Sequence, residues 1–256
     1  MTSPQTPPFT VMPLRYSDDP KRMINFLRTL GLAEIVTTDG DGFAELRAGA
    51  GRVMVHTAKG SDTGATSGTT DLCLSVASLD DAVATLRGLE VRVWDESYGR
   101  QAVVTGPLGE TVSLNEQQRD LYGYRGHDGS GADARLTVTA VRPSPDFATD
   151  TGYFDQFGFV ADPDGNQWWQ ALRGPGAAGV VGLHRPNEGD HARRETDSAF
   201  GAPATVRLGF ETTEDLDELA ARLAAAGHPA EVVAEHGLRA VHLTDPDGEH
   251  LEIHSA

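Results

Sequence analysis

The sequence predicts an α+β protein of two tandem domains, each built from two βαβββ modules. Three observations predict it. Residues 69–116 and 204–254 repeat one order: a short alternating strand, an amphipathic helix and three further strands. The two helices share an apolar phase, with Leu79, Ala82, Val83 and Leu86 spaced like Leu216, Leu219, Ala220 and Leu223. A fainter copy of the same plan precedes each segment.

Taken in order, residues 1–8 form a polar, proline-rich tail. The first module, 9–58, opens its helix at Asp19-Pro20, a capping residue followed by proline at the first helical position. Met23, Phe26, Leu27 and Leu30 form the buried stripe, and strands follow at 42–47 and 52–57. The second module, 68–116, has Ser78 with Asp81 as its capping pair. Residues 117–133, centred on YGYRGHDGSGAD, hold too much glycine and aspartate for helix or strand and read as an interdomain linker.

In the third module, 134–185, Ser144-Pro145 stands in the capping place before Phe147, Phe154 and Phe157. Strands are expected at 167–172 and 179–184, after an early Asp162-Pro163-Asp164-Gly165 turn. The polar stretch 185–203 is either a solvated connection or a lid over a pocket. The fourth module, 203–256, has Thr212 with Asp215 before its helix and the turn Pro246-Asp247-Gly248-Glu249 before its last strand. Glycine-rich 47–51 and 173–176 read as hairpin turns rather than phosphate loops, because no helix starts behind them.

Composition narrows the function. Thirty-eight acidic against 21 basic residues give a formal charge of −17, which repels nucleic acid and tolerates a cationic ligand. No apolar run approaches the roughly 20 residues that span a bilayer. The single cysteine, Cys73, excludes an internal disulfide, and its apolar strand LCLSV reads as core. With no signal peptide in view, a reducing, cytoplasmic setting is expected. No Ser-His-Asp spacing or nucleophile elbow is present.

Paired βαβββ modules, the run Asp19-Pro20 to Phe26-Leu27-Arg28-Thr29-Leu30-Gly31-Leu32, and the closing Thr244-Asp245-Pro246-Asp247-Gly248-Glu249-His250-Leu251-Glu252-Ile253 resemble the vicinal oxygen chelate superfamily. That group holds glyoxalase I, extradiol dioxygenases and the bleomycin and fosfomycin resistance proteins. The resemblance implies that each module pair forms a curved, partly open, eight-stranded mixed sheet with a ligand cavity on its concave face. In metal-using members it also implies His, Gln or Glu ligands from first and last module strands.

On that comparison Glu252 matches the family's metal-binding glutamate. The first-strand positions hold Arg207 in the fourth module, Thr139 in the third, and Met12 or Val11 in the first; a guanidinium cannot ligate a cation. Asp71 holds the place in the second module, but Ser113 stands at its partner position, so the N-terminal domain reads as scaffold. On the last strand His250, Glu252 and His254 alternate onto one face. His250 and His254 lie four residues apart, roughly 13 Å, and so cannot share an ion. His242, His184 and His56 are placed to approach Glu252 from neighbouring strands.

Two functions follow. One is a metal-independent small-molecule binding protein of the sequestration or resistance type. It would use Arg207, one of Trp168 and Trp169, His242, His250, Glu252 and His254 to hold a cationic or aromatic compound. Arg207 would there pair with Glu252 or contact the ligand. The alternative is a metal-dependent lyase, isomerase or dioxygenase with Fe, Mn, Ni or Zn on Glu252, His184 and His242. Four modules in one chain suit a monomer, and a homodimer is equally open.

Overall fold

The computed structural model describes residues 9–40, 42–61, 63–96, 99–118, 121, 123–235 and 237–256. The first module contains β1 (Thr10–Val11), β2 (Leu14–Ser17), α1 (Pro20–Leu30), β3 (Ala33–Thr38), β4 (Phe43–Arg47) and β5 (Arg52–Thr57). The second contains β6 (Thr70–Asp71), β7 (Cys73–Val76), α2 (Leu79–Thr85), β8 (Val91–Glu96), β9 (Gly99–Thr105) and β10 (Thr111–Glu116). After β11 (Tyr124–Gly126), the third holds β12 (Leu136–Pro143), α3 (Phe147–Asp155), β13 (Val160–Ala161), β14 (Trp169–Arg173) and β15 (Val180–His184). The fourth holds β16 (Arg207–Thr212), α4 (Leu216–Ala225), β17 (Ala230–Glu235), β18 (Leu238–Thr244) and β19 (His250–Ser255).

The C-terminal half is one eight-stranded mixed sheet in the order β13-β14-β15-β12-β16-β19-β18-β17. Within each module the first strand runs parallel to the last, and β12 joins β16 antiparallel. The N-terminal half follows the same plan but is split into five-stranded and six-stranded sheets. The break falls where β1 and β2 meet β6 and β7. The register is unbroken across it, with Val11 opposite Leu74 and Leu14 opposite Asp71. Pro13 has no N–H to give, and the Leu72 N–H is donated to the Ala204 carbonyl instead. The two pieces stay joined across the break, where the Met12 N–H donates to the Cys73 carbonyl at 2.9 Å.

Each helix lays its expected stripe on the sheets. Met23, Phe26, Leu27 and Leu30 of α1, and Leu216, Leu219, Ala220 and Leu223 of α4, are buried. Asp19 and Ser78 cap α1 and α2 as expected. Two caps differ from expectation. Asp146, not Ser144, caps α3, and Asp215, not Thr212, caps α4, each accepting two backbone N–H groups. A carboxylate directly before the helix reaches both donors, which a hydroxyl further upstream does not. Thr212 accepts the Glu214 N–H instead.

The stretch 117–133 also departs from expectation, because Tyr124–Gly126 pairs antiparallel with β3. The otherwise open edge of β3 supplies a template that composition does not reveal. The glycine-rich hairpins of the two halves meet at close range. Gly51 N–H donates to Ala177, and Ala50 exchanges backbone bonds with Leu136 and Val138. A Cβ on Gly51 would lie 2.7 Å from Val138 Cβ, so close approach as well as turn geometry requires glycine there.

One hydrophobic cluster runs through both halves, from Phe9 and Phe26 to Phe154, Phe210 and Ile253. The halves are also joined by buried charge. Arg142 donates to Glu110 at 2.5 Å and to Asp150 at 3.1 Å with no exposed side-chain surface of its own. Arg15 pairs with Asp245 and Asp247. Among the described residues no helix is long and apolar enough to cross a membrane.

Candidate functional site

The strand period of two sorts the C-terminal sheet into two faces. Leu208, Phe210, Val241, Leu243, Leu251 and Ile253 pack into the core with the helices. Their neighbours Arg207, His242, His250, Glu252 and His254 therefore occupy the opposite, helix-free face. On β14 Leu172 is in the core, so Trp169 belongs to the helix-free face.

Pairing of β18 with β19 sets His242 opposite Glu252 and Thr244 opposite His250. Glu252 Oε1 lies 3.3 Å from His250 Nε2, and its Oε2 lies 3.0 Å from His254 Nε2. The His242 and His250 rings meet edge to face at 5.0 Å. One ligand atom from each of His242, His250 and Glu252 falls within a sphere where all lie within 4.8 Å of one another. His254 holds Glu252 from behind, as an outer partner holds a ligating carboxylate.

The hydrogen bond to His254 pulls the Glu252 carboxyl down to about 2, and the nearby charges of His254, His242 and His250 pull the same way. Glu252 is thus an anion throughout the neutral range. Its side chain is 42 % exposed, so the cluster is open to solvent, and as plain surface ion pairs these contacts would contribute little.

His184 stands apart from this cluster. It ends β15, and β12 and β16 lie between β15 and β19. Burial, and then the charge of Arg207, push its pKa below the ordinary imidazole value. Its Nδ1 is buried without a hydrogen-bond partner among the described residues, as is the Thr139 hydroxyl. His184 is therefore not a member of the His242, His250 and Glu252 cluster.

Trp169 pairs across the ladder with His184, and its indole lies over Gly182, where a Cβ would meet the ring at 2.0 Å. Trp168 lies just before the strand and is 62 % accessible, so Trp169 is the member of the pair on the sheet face. Arg207 is exposed and makes no ion pair with Glu252 among the described residues.

Strand position alone does not show that the Thr139 hydroxyl is buried without a partner among the described residues. The contact of Asp71 with Arg194 at 2.8 Å joins residues far apart in the chain, and the one signal for it is a lone carboxylate in the apolar strand TDLCLSV.

No family model and no curated protein matches this chain. Solved structures do. The 2,3-dioxygenase LapB from Pseudomonas sp. KL28 matches at 14% identity and a TM-score of 0.58, over 96% of this chain and 91% of its own. The Mn(II)-bound glyoxalase from Novosphingobium aromaticivorans matches at 15% identity and a TM-score of 0.57, over 96% and 80%. A homoprotocatechuate 2,3-dioxygenase variant from B. fuscum, in complex with HPCA, matches at 14% identity and a TM-score of 0.57, over 96% and 70%. At such identities the likeness shows the fold alone: the chain has the fold of vicinal oxygen chelate dioxygenases and glyoxalases.

Proposed function

We propose that the helix-free face of the C-terminal half binds one divalent transition metal through His242, His250 and Glu252, and acts on a small oxygen-bearing molecule lying beside it. The observation that carries this reading is the approach of three donors of suitable chemistry within 4.8 Å on one hairpin. Two imidazoles and a carboxylate suit Fe, Mn, Ni or Zn. Three protein donors leave a coordination position for water or substrate. Thr139 and Arg207 at the first-strand positions do not fit an ion at the place the superfamily resemblance implies. The centre would instead sit outward, on the hairpin of β18 and β19.

When bound, the metal would act as a Lewis acid on substrate oxygens. The chain's own groups do the rest. Trp169 offers a planar surface for an apolar or aromatic body. Arg207, exposed on the same face and without an ion-pair partner among the described residues, offers a positive charge to an oxyanion. The reaction class is that of a lyase, isomerase or dioxygenase. The Mn(II) and the HPCA named for two structural neighbours belong to those proteins and support only the class.

A second reading, metal-free binding of a small molecule on the same face, is favoured by Arg207 and Thr139 standing where ligands would be needed. One experiment separates the two. Wild-type protein, Glu252→Ala and His242→Ala are equilibrated with Mn, Fe, Ni and Zn and dialysed, and retained metal is measured. The metal reading expects one ion per wild-type chain and its loss in both variants, with unchanged circular dichroism. Retention of no metal by the wild type, or equal retention by Glu252→Ala, would contradict it and leave the binding reading.

A further inference from the structure

The helix-free face of the N-terminal half has a different character. Cross-strand pairing sets Leu14 beside both Met54 and Asp71, and sets His56 between Tyr16 and Phe43. Met12, Met54 and Cys73 form an apolar cluster separate from the main core, with Leu14 and Phe43 packed on it. An aromatic edge continues outward. Tyr16 and His56 rings lie 6.0 Å apart, and Phe43 lies 6.2 Å from His56 and 6.1 Å from Tyr124.

One carboxylate projects into this apolar surface. The Asp71 side chain is only 7% exposed, and its Oδ2 accepts from Arg194 at 2.8 Å. Its Oδ1 is buried with no hydrogen-bond partner among the described residues, and so is the Arg194 Nε. Burial raises the carboxyl to about 6 against the opposing pull of Arg194.

Arg194 comes from the segment that joins the third and fourth modules, and this segment walls the face. Arg194 and Thr196 both donate to the Thr63 carbonyl, and the Thr63 hydroxyl donates to Tyr16 at 3.3 Å. An ion pair that merely pinned the segment would need one carboxylate oxygen. It would leave the second oxygen desolvated and without a partner among the described residues.

We propose that this face is a second binding site, for a small uncharged molecule with an aromatic or otherwise apolar body and one hydroxyl donated to Oδ1 of Asp71. Apolar lining with few convergent polar groups is the general character of small-molecule sites. Neutrality follows from the pair already present. A cation would be repelled by Arg194 and an anion by Asp71. The site shares no residue with the His242, His250 and Glu252 cluster, so it stands or falls independently of the metal reading.

The probe is benzyl alcohol, with toluene and benzylamine as comparisons, titrated into protein labelled with 13C at the methionine methyls. Met12 and Met54 report on the site, while Met23, buried under α1, serves as an internal control. The proposal expects saturable shifts of Met12 and Met54 with Met23 unmoved. It expects toluene to bind about tenfold or more weakly, for want of the bond to Asp71. Asp71→Asn should weaken benzyl alcohol and leave toluene unchanged. Unmoved Met12 and Met54 signals in the wild type, or equal binding of toluene and benzyl alcohol, would overturn it, and tighter binding of benzylamine would overturn the uncharged assignment. The wild-type comparison holds even where Asp71→Asn fails to fold.

Discussion

His242 and Glu252 stand directly opposite each other where β18 pairs with β19, so the backbone register of a single hairpin sets the distance between two would-be ligands. His250 lies on the same face, two residues before Glu252, and His254 two residues after it. The histidines on either side of Glu252 thus have unequal roles. His250→Ala is expected to abolish metal retention, because it removes a donor. His254→Ala removes only the outer partner and is expected to weaken affinity about 10–100-fold. Competition against a chelator of known affinity measures both.

The hydrogen bond from His254 also sets a pH dependence. The folded-state pKa of Glu252, about 2, lies below its ordinary value of 4.5. Its contribution to stability is therefore complete above 4.5 and is lost as the pH falls toward 2. In His254→Ala the carboxyl should titrate closer to 4.5, so that this contribution and its pH dependence shrink. Carbon NMR of the Glu252 carboxyl against pH checks this. An unchanged titration would mean that the hydrogen bond is not the cause.

Arg142 is fully buried between Glu110 and Asp150, one carboxylate from each half of the chain. Arg142→Ala would leave two buried carboxylates without a counter-charge. Destabilisation of roughly 3–5 kcal/mol is expected. Replacing all three residues by apolar ones of similar volume should recover much of that loss. Urea denaturation of the single and triple variants tests the contrast.

Gly182 gives the indole of Trp169 its seat. In Gly182→Ala the new Cβ falls 2.0 Å from the ring, which must move. Tryptophan emission is expected to shift while metal retention on the hairpin of β18 and β19 is unchanged. Joint loss of both would indicate a general collapse of the sheet instead.

The parts of this architecture legible in the sequence are those governed by a period. The apolar stripe of α1 and α4, the hairpins before β5 and β15, and the alternation on β19 all follow from spacing alone. What escaped depends on contacts between distant residues. Asp146 rather than Ser144 caps α3 because the helix begins one residue after Asp146, a detail that propensity does not resolve. The strand at Tyr124–Gly126 exists because β3 has a free edge. Placing His242 against Glu252 rather than one residue to either side required the hairpin register. Asp71 and Arg194, 123 residues apart, meet only because the segment between modules folds back on the first half.

The most direct test of the displaced metal centre is cobalt(II) loading, followed by visible and X-ray absorption. A bound ion with two imidazole nitrogens in its shell is expected, lost in both His242→Ala and His250→Ala and unaltered in Thr139→Ala and His184→Ala. An absence of bound-cobalt absorption in the wild type, or a spectrum that survives removal of both His242 and His250, would contradict it.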